Sequence, residues 1–156
     1  MDNIPVAMLA KQEKPVFPAL WSTENKFSML ALTDLADVFK VVAEQRGRHF
    51  YALYPLTSTH RPISFAEALR VIEGKIGKDV VVERKAFRDA VDALLMRLYT
   101  LEDAEDVDRR SRDAAERMIL FYDGRGLVGN SNVLEWVLGR EALQFEKFVD
   151  QAIDEK

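Results

Sequence analysis

One stretch of the sequence, from Arg84 to Leu101, constrains the fold more than any other. Its apolar residues recur every three or four positions, which is the spacing of an α-helix that buries one face. No glycine or proline interrupts the run. We therefore expect a long amphipathic helix here, on which the other elements pack. Its apolar stripe consists of Phe87, Val91, Leu94, Leu95, Leu98 and Leu101.

Similar spacing predicts further helices at about 34–46, 64–73 and 108–122. Their ends carry capping signals: Thr33 and Gly47 bracket the first, and Ser64 with Glu67 forms a capping box for the second. Asp106 or Asp108 is placed to cap the third. One or two closing helices follow at 133–138 and 140–153, bent at Gly139, with an inward stripe that includes Leu134, Trp136 and Phe145.

Short apolar runs at 26–32 and 48–56 favour strands, which with the helix between them would form a small βαβ-like or split unit over 27–54 and raise the alternative of an α+β fold. Residues 80–82 favour a third short strand or, alternatively, the first turn of the central helix with Asp79 as its cap. Residues 1–26 hold Pro5, Pro15 and Pro18, which disfavour a regular helix and indicate an extended arm. The sequence thus predicts a mainly α fold: an N-terminal arm over 1–26, then one compact domain over 27–156. That domain is expected to hold about five helices and two or three short strands.

Composition narrows the class of protein. The chain has 156 residues and no cysteine, so disulfides and thiolate metal sites are excluded. No apolar run approaches the roughly 20 residues that span a bilayer. Asp2 and Pro5 lie where a signal peptide would carry basic residues and an apolar core. We therefore expect a cytoplasmic protein that has no membrane partner.

Charge is distributed unevenly along the chain. The net charge is −4, but residues 46–88 carry +5 and residues 89–156 carry −7. The basic middle could bind nucleic acid, and its two helices have the order of a helix-turn-helix. Their connection of about ten residues is, however, longer than the usual three or four. The candidate phosphate contacts on this basic surface are Lys75, Lys78, Arg84, Lys85 and Arg88.

Gly124, Gly126 and Gly129 have the G-x-G-x-x-G spacing of a dinucleotide-binding loop. That motif requires a strand before the loop and a helix after it. Here the preceding residues continue a helical pattern, and the 27 residues after Gly129 are too few for the remaining strands of a nucleotide-binding fold. A helix–helix connection is the preferred interpretation, and a small-ligand or nucleotide-binding enzyme domain stays as an alternative.

No other pattern points to catalysis or to a metal. His49 and His60 lack the spacing of zinc ligands and have no partner motif. The acidic segment 102–108 lacks the glycine that a calcium loop of the EF-hand type needs at its sixth position. We find no catalytic serine motif and no phosphate-loop lysine. The sequence therefore predicts no enzyme activity, no cofactor and no metal.

These observations favour a non-enzymatic binding protein. The charge-segregated domain without catalytic motifs is typical of a small regulator or inhibitor that acts by occupying a macromolecular partner, most readily a protein. The first alternative is a nucleic-acid-binding regulator that uses residues 46–88. The second is the ligand-binding domain that would use Gly124–Gly129.

Overall fold

The computed structural model describes residues 1–100, 103 and 107–154, and its mainly α architecture confirms the predicted fold class. Within these residues the helices are α1 (Val6–Lys11), α2 (Leu32–Glu44), α3 (Arg46–His49), α4 (Phe65–Ile76), α5 (Phe87–Tyr99), α6 (Arg109–Arg125), α7 (Asn132–Leu138) and α8 (Phe145–Asp154). The strands are β1 (Val16–Ala19), β2 (Lys26–Phe27), β3 (Ile63–Ser64) and β4 (Val81–Arg84). β1 pairs in parallel with β4, and β2 pairs antiparallel with β3.

The largest apolar core lies between α1, α4, α8 and β1. Leu9, Ile72 and Val149, one from each helix, have no solvent-exposed surface. Each such side chain stabilises the fold by about 1.5–3 kcal/mol. α4 is also held at its beginning, because Ser64 and Glu67 form the predicted capping box, with bonds of 3.1 and 2.8 Å. It ends at a left-handed residue, Gly77.

The helix expected to organise the fold is instead half of a helical hairpin. On α5, Val91, Leu94 and Leu95 are buried as predicted, but they face α6 in a separate, smaller core. Leu98, by contrast, is 59% exposed. The expectation that the other elements pack on this helix is therefore wrong. An apolar stripe identifies the face that is buried, but it does not reveal how many neighbours cover that face. Leu101 lies outside the described residues.

The N-terminal segment is more regular than its prolines indicated. It contains α1 and β1, so the expectation that proline prevents a helix here is wrong for residues 6–11. Pro5 immediately precedes the first helical residue, where its missing N–H costs nothing. Met1, Ile4 and Leu9 are buried in the main core. The division into an arm and a domain remains a prediction.

The predicted strands are confirmed only in part. The strand predicted over 26–32 is only two residues long, Lys26–Phe27, whereas the run predicted at 80–82 forms β4 at Val81–Arg84. No strand forms over 48–56, so the expected βαβ-like unit over 27–54 is wrong. Aromatic residues raise strand propensity, but here Tyr51 takes a positive φ of 57° that no strand accommodates.

Two predicted helix ends are also displaced. α2 begins at Leu32, so Thr33 lies inside the helix instead of capping it. Gly47 lies within the short helix α3 and does not terminate α2. Asp108 does cap α6, accepting bonds from the amides of Arg110 and Ser111. The hydrogen bond from the Ser111 hydroxyl first, and these amide bonds second, lower the pKa of its carboxyl. α7 and α8 separate at Gly139 as expected, but α8 begins only at Phe145.

Candidate protein-binding surface

The most exposed large apolar side chains follow α3, in the segment 49–54, which we call the aromatic turn. Phe50 is 72% exposed, Tyr51 is fully exposed and Leu53 is 93% exposed. Single apolar residues on a surface need no explanation, but clustered ones mark contact sites. Three such residues within four positions therefore identify the aromatic turn as the first candidate for a functional surface.

The backbone of the aromatic turn is strained. Tyr51 has a left-handed conformation, with φ of 57°, although it is a bulky residue. This conformation costs a non-glycine residue roughly 1–2 kcal/mol. Because its side chain is fully exposed, no burial of that side chain offsets the cost. Strain of this kind persists where the surroundings fix the backbone, and it concentrates at functional sites.

Two hydrogen bonds within the turn, both made by His49, hold its shape. The amide of Ala52 donates to the carbonyl of His49 over 3.2 Å. The His49 ring nitrogen Nδ1 lies 2.7 Å from the Tyr54 hydroxyl, and the two rings meet edge to face. Tyr54 in turn packs on Trp136 of α7, with ring centroids 6.3 Å apart. The turn is thus attached to a helix and does not hang free.

Trp136 extends the exposed aromatic area. It is 72% exposed, so its predicted place in an inward stripe is wrong. Leu134, Val137 and Leu138 take the inner face of this helix of seven residues and leave Trp136 on the outside. We call the resulting patch the aromatic surface, and it consists of Phe50, Tyr51, Leu53, Tyr54 and Trp136.

The aromatic surface rests on a small apolar core. Val38 of α2, Leu134 of α7 and Ala142 are buried together, and Leu56 packs against them from the segment that leaves the turn. This core fixes α7 against α2, so the elements that carry Trp136 and the turn have a common base.

A buried carboxylate also holds this base together. Asp34 is 1% exposed, and its Oδ2 accepts bonds from the Ser58 hydroxyl (2.7 Å) and the Leu143 amide (2.9 Å). Its Oδ1 lies 2.9 Å from Nη1 of Arg140, an ion pair whose angle falls outside hydrogen-bond geometry. Arg140 also pairs with Asp37, and both carboxylates raise the pKa of its guanidinium. One side chain of α2 therefore ties two loops to that helix.

Exposed cations lie beside the aromatic surface. Arg46 and Arg48 occupy α3, directly before the turn, and both are exposed. An open depression runs along residues 43–48 and is too shallow to enclose a small ligand. Tyrosine, tryptophan and arginine are the residues most enriched at energetically important positions in protein interfaces. The arrangement therefore has the composition of a contact surface and not of a small-molecule pocket.

Three of the predicted basic side chains lie in or directly beside β4 or in the first turn of α5, namely Arg84, Lys85 and Arg88. Arg84 lies 2.7 Å from Asp123, which lowers the pKa of that carboxyl. Lys85 lies 2.8 Å from Glu83, which raises the pKa of its ammonium group. Arg88 makes no ion pair with any residue that the structure describes.

The other two basic side chains precede β4. Lys75 lies 2.6 Å from Asp150 of α8. Lys78 donates to the carbonyls of Ala10 and Gln12, at 2.9 and 2.8 Å, and so holds the end of α1. Four of the five candidates are therefore engaged within the chain, which lowers the charge that they offer to phosphates. A nucleic-acid interface at these residues remains a prediction.

The two histidines are both bonded to side chains of the chain itself. His60 Nε2 lies 2.7 Å from Oε1 of Glu135, an oxygen that also accepts the Ala142 amide. That amide first, and His60 second, lower the pKa of Glu135. The pair links the segment after Ser58 to α7, whereas His49 serves the aromatic turn. These contacts give both residues structural roles.

The glycine loop lacks the setting of a nucleotide site. The residues before it belong to α6, which runs through Gly124 to Arg125, so a helix stands where the fingerprint requires a strand. A Cβ at Gly126 would lie 2.2 Å from the carbonyl oxygen of Lys26, since Leu127 pairs closely with Phe27. The Gly129 amide donates to the Ser28 hydroxyl over 2.8 Å. The loop packs its backbone on β2 and does not offer these amides to a phosphate.

The acidic segment 102–108 lies partly outside the described residues, since 102, 105 and 106 are not among them. Among the residues that are described, no cluster of three or more histidine, aspartate or glutamate side chains could hold a metal ion. In the same part of the chain, no helix has both the length and the apolar character needed to cross a membrane.

Comparison with known proteins adds no family: no protein-family model matches the chain, and no curated protein is significantly similar to it.

The aromatic surface was missed from the sequence. Phe50, Tyr51 and Leu53 were assigned to a strand, and Trp136 was assigned to a core. Only the tertiary arrangement places them together in solvent. One signal was available, since Pro55 has no amide to donate to a ladder and so argues against a centrally paired strand here.

Proposed function

We propose that this chain is a non-enzymatic binding protein, a small regulator or inhibitor that occupies a protein partner through the aromatic surface. The observation that carries this proposal is the fully exposed Tyr51, held in a strained conformation by a turn that is attached to α7. A fold gains nothing by itself from keeping three large apolar side chains in water. Burial of each would stabilise a complex by about 1.5–3 kcal/mol before the costs of association.

The charges beside the patch indicate the chemistry of the partner. Arg46 and Arg48 precede the turn on α3 and are exposed. A partner that fits them presents an apolar hollow for Tyr51 and Leu53, with carboxylates at its edge. Because the turn and Trp136 rest on a common core, binding requires little ordering of the main chain, which favours affinity.

A position-specific cross-link tests the proposal. A photoreactive amino acid would replace Tyr51 in one variant and Leu120, which is 60% exposed on α6, in a matched control. Both would be irradiated in the cell of origin, with and without nuclease. We expect one protein to be cross-linked from position 51 and not from position 120, whether or not nuclease is added.

Purified components then measure affinity. The partner identified by cross-linking should bind the wild-type chain, and Tyr51→Ser combined with Leu53→Ser should weaken that binding by at least about a hundredfold, or roughly 2.7 kcal/mol. Leu120→Ser should leave it unchanged. Equal cross-linking from both positions, or unchanged affinity in the double variant, would overturn the proposal.

The nucleic-acid alternative has one observation in its favour. Arg46 and Arg48 stand beside Phe50 and Tyr51, a combination that can stack bases of a single strand. Against it stand the net charge of −4 and the internal ion pairs of the basic surface. We expect no sub-micromolar binding to duplex or single-stranded nucleic acid at about 0.15 M salt. Binding that is lost in Arg46→Glu with Arg48→Glu, with a steep salt dependence, would favour this alternative.

A further inference from the structure

β4 is an exposed strand that, among the residues the structure describes, pairs only with β1. All four of its residues are exposed, with Val81 at 59% and Val82 at 45%. Parallel sheets are usually covered on both faces, and a strand at a sheet edge carries unpaired amides and carbonyls. The position of β4 therefore raises the question of which of its backbone groups are already bonded.

The hydrogen bonds between β4 and β1 show which backbone groups of β4 are already bonded. The amide of Val81 donates to the Pro15 carbonyl (2.9 Å), and that of Lys85 donates to the Ala19 carbonyl (3.0 Å). Because alternate residues of a strand point their backbone groups to opposite sides, residues 81, 83 and 85 face β1. The amides and carbonyls of Val82 and Arg84 point away from it. No residue that the structure describes bonds to these four groups.

Elsewhere along β1 and β4, the described residues leave no outward amide free. On the far side of β1, the Val16 amide donates to Oε1 of Gln12 over 3.0 Å, and Pro18 has no amide to offer. At the start of β4, the Val80 amide donates to Oε1 of Glu73 over 2.8 Å. Proline and capping side chains are the usual means of closing an edge. The contrast leaves Val82–Arg84 as the open part.

We propose that the open edge of β4 binds an extended, acidic segment of a protein partner, which adds to the sheet as a third strand. Val82 and Arg84 together offer two donors and two acceptors, the pattern that alternate residues of an extended peptide complete. The exposed side chain of Val82 favours an apolar residue opposite it.

The surrounding charge determines the acidic character of this segment. Residues 75–88 contain five bases and two acids, a net charge of +3. Arg88 lies four residues beyond the open edge and has no ion-pair partner among the described residues, so it is available to a carboxylate. The other four bases are engaged within the chain, so Arg88 is the cation that would meet a peptide carboxylate beside this edge.

A second copy of the chain fits this edge poorly. An antiparallel, two-fold pairing that uses both Val82 and Arg84 would place Glu83 directly opposite its own copy, and like charges at that position are destabilising. A pairing centred on Val82 would set Arg84 opposite Val80, whose amide is already bonded to Glu73. A pairing centred on Arg84 would oppose two arginines.

A designed peptide tests the proposal directly. The probe is a blocked, fluorescent peptide of alternating valine and threonine that ends in two aspartates. A control peptide ends in two lysines, and a second control is N-methylated along one edge. We expect the acidic probe to bind the full chain and both controls to bind at least about tenfold more weakly, as expected for the loss of hydrogen bonds or of favourable charge.

Variants and amide exchange locate the site. Val82→Pro removes the open donor and should reduce binding by about tenfold, whereas Val82→Thr keeps the amide and should bind like wild type. Arg88→Glu should weaken the acidic probe selectively, and it keeps the test valid if the proline variant does not fold. The amides of Val82 and Arg84 should exchange slowly only in the complex.

Three results would overturn the proposal. The first is no binding of the probe at about 1 mM, which would correspond to a binding free energy weaker than roughly −4 kcal/mol. The second is binding that both Val82→Pro and Arg88→Glu leave unchanged. The third is a dimer of the wild-type chain that Val82→Pro abolishes, which would identify a second copy as the occupant.

Discussion

The core around α4 and the aromatic turn use similar side chains in opposite ways. Around α4, Leu69 and Ile72 are removed from water, and bonds cap the helix at both ends. In the turn, Phe50, Tyr51 and Leu53 remain in water, and the backbone is strained. The first region stabilises the fold. The second takes its shape from the fold and contributes little stability in return, which is the distribution expected for a contact surface.

The largest expected effect of burial on stability comes from a pair of substitutions on α5, one at a buried position and one at an exposed position. Leu94→Asp places a charge at a position that is 5% exposed, and it should abolish the cooperative unfolding transition. Leu98→Asp makes the same change one turn later, where the side chain is 59% exposed, and should shift stability by less than about 0.5 kcal/mol. Thermal unfolding followed by circular dichroism measures both. Similar melting of the two variants would contradict the placement of α5.

The next contrast compares the core of α4 with the aromatic turn directly. Ile72→Ala leaves a cavity at a fully buried site, so the free energy of unfolding should fall by about 2–5 kcal/mol. Leu53→Ala removes a similar volume from a side chain that is 93% exposed and should change it by less than about 0.5 kcal/mol. Urea denaturation gives both values. A loss above about 1 kcal/mol at Leu53 would mean that the turn contributes to the fold.

The same comparison explains what could be predicted from the sequence. Helix α4 was predicted well at its beginning because the signals are local: the Ser64–Glu67 box and the helical spacing of Leu69 and Ile72 lie within one segment. Local rules and tertiary packing agree there, so the prediction from pattern alone is confirmed.

The turn was predicted poorly because its structure depends on distant residues. Whether Trp136 lies inside or outside depends on α2, about a hundred residues earlier, which takes the other face of α7. Tyr54, three residues after Tyr51, packs on Trp136 of α7, a contact that the local sequence does not reveal. Aromatic residues favour burial in general, so a pattern analysis assigns them to a strand or a core. The role of the candidate basic residues as phosphate contacts remains a prediction, and the ion pairs of Arg84 with Asp123 and of Lys75 with Asp150 could not be foreseen from the sequence.

The pH dependence of stability tests the base beneath the aromatic surface. Since the folded pKa of Glu135 lies below its ordinary value of 4.5, the ionised carboxylate stabilises the fold above that pH. This contribution should disappear as the pH falls from about 4.5 through the lowered folded pKa. Glu135→Gln should therefore be less stable than wild type at pH 7, and the gap should narrow at about pH 3.

Glu146→Gln, an exposed change in α8, is the matched control and should show no such narrowing. Urea denaturation at several pH values measures the difference between each variant and wild type. A difference in stability between Glu135→Gln and wild type that stays constant with pH would show that the Glu135 carboxylate does not couple α7 to the two segments that carry His60 and Ala142.

The smallest expected effect concerns the strain at Tyr51. Glycine adopts a positive φ without penalty, so Tyr51→Gly should recover the roughly 1–2 kcal/mol that the left-handed conformation costs. Glycine also makes the unfolded chain more flexible, at a cost of about 0.5–1 kcal/mol. The net gain is therefore between about 0 and 1.5 kcal/mol. Leu53→Gly, at an equally exposed position that does not have a positive φ, carries only the cost and should be less stable than Tyr51→Gly by about 1–2 kcal/mol. Urea denaturation resolves this difference.

If Tyr51→Gly gains stability yet loses the partner identified by cross-linking, the exposed tyrosine serves binding at the expense of the fold. If the two glycine variants are equally destabilised, the turn is not strained, and the main argument for the aromatic surface is removed.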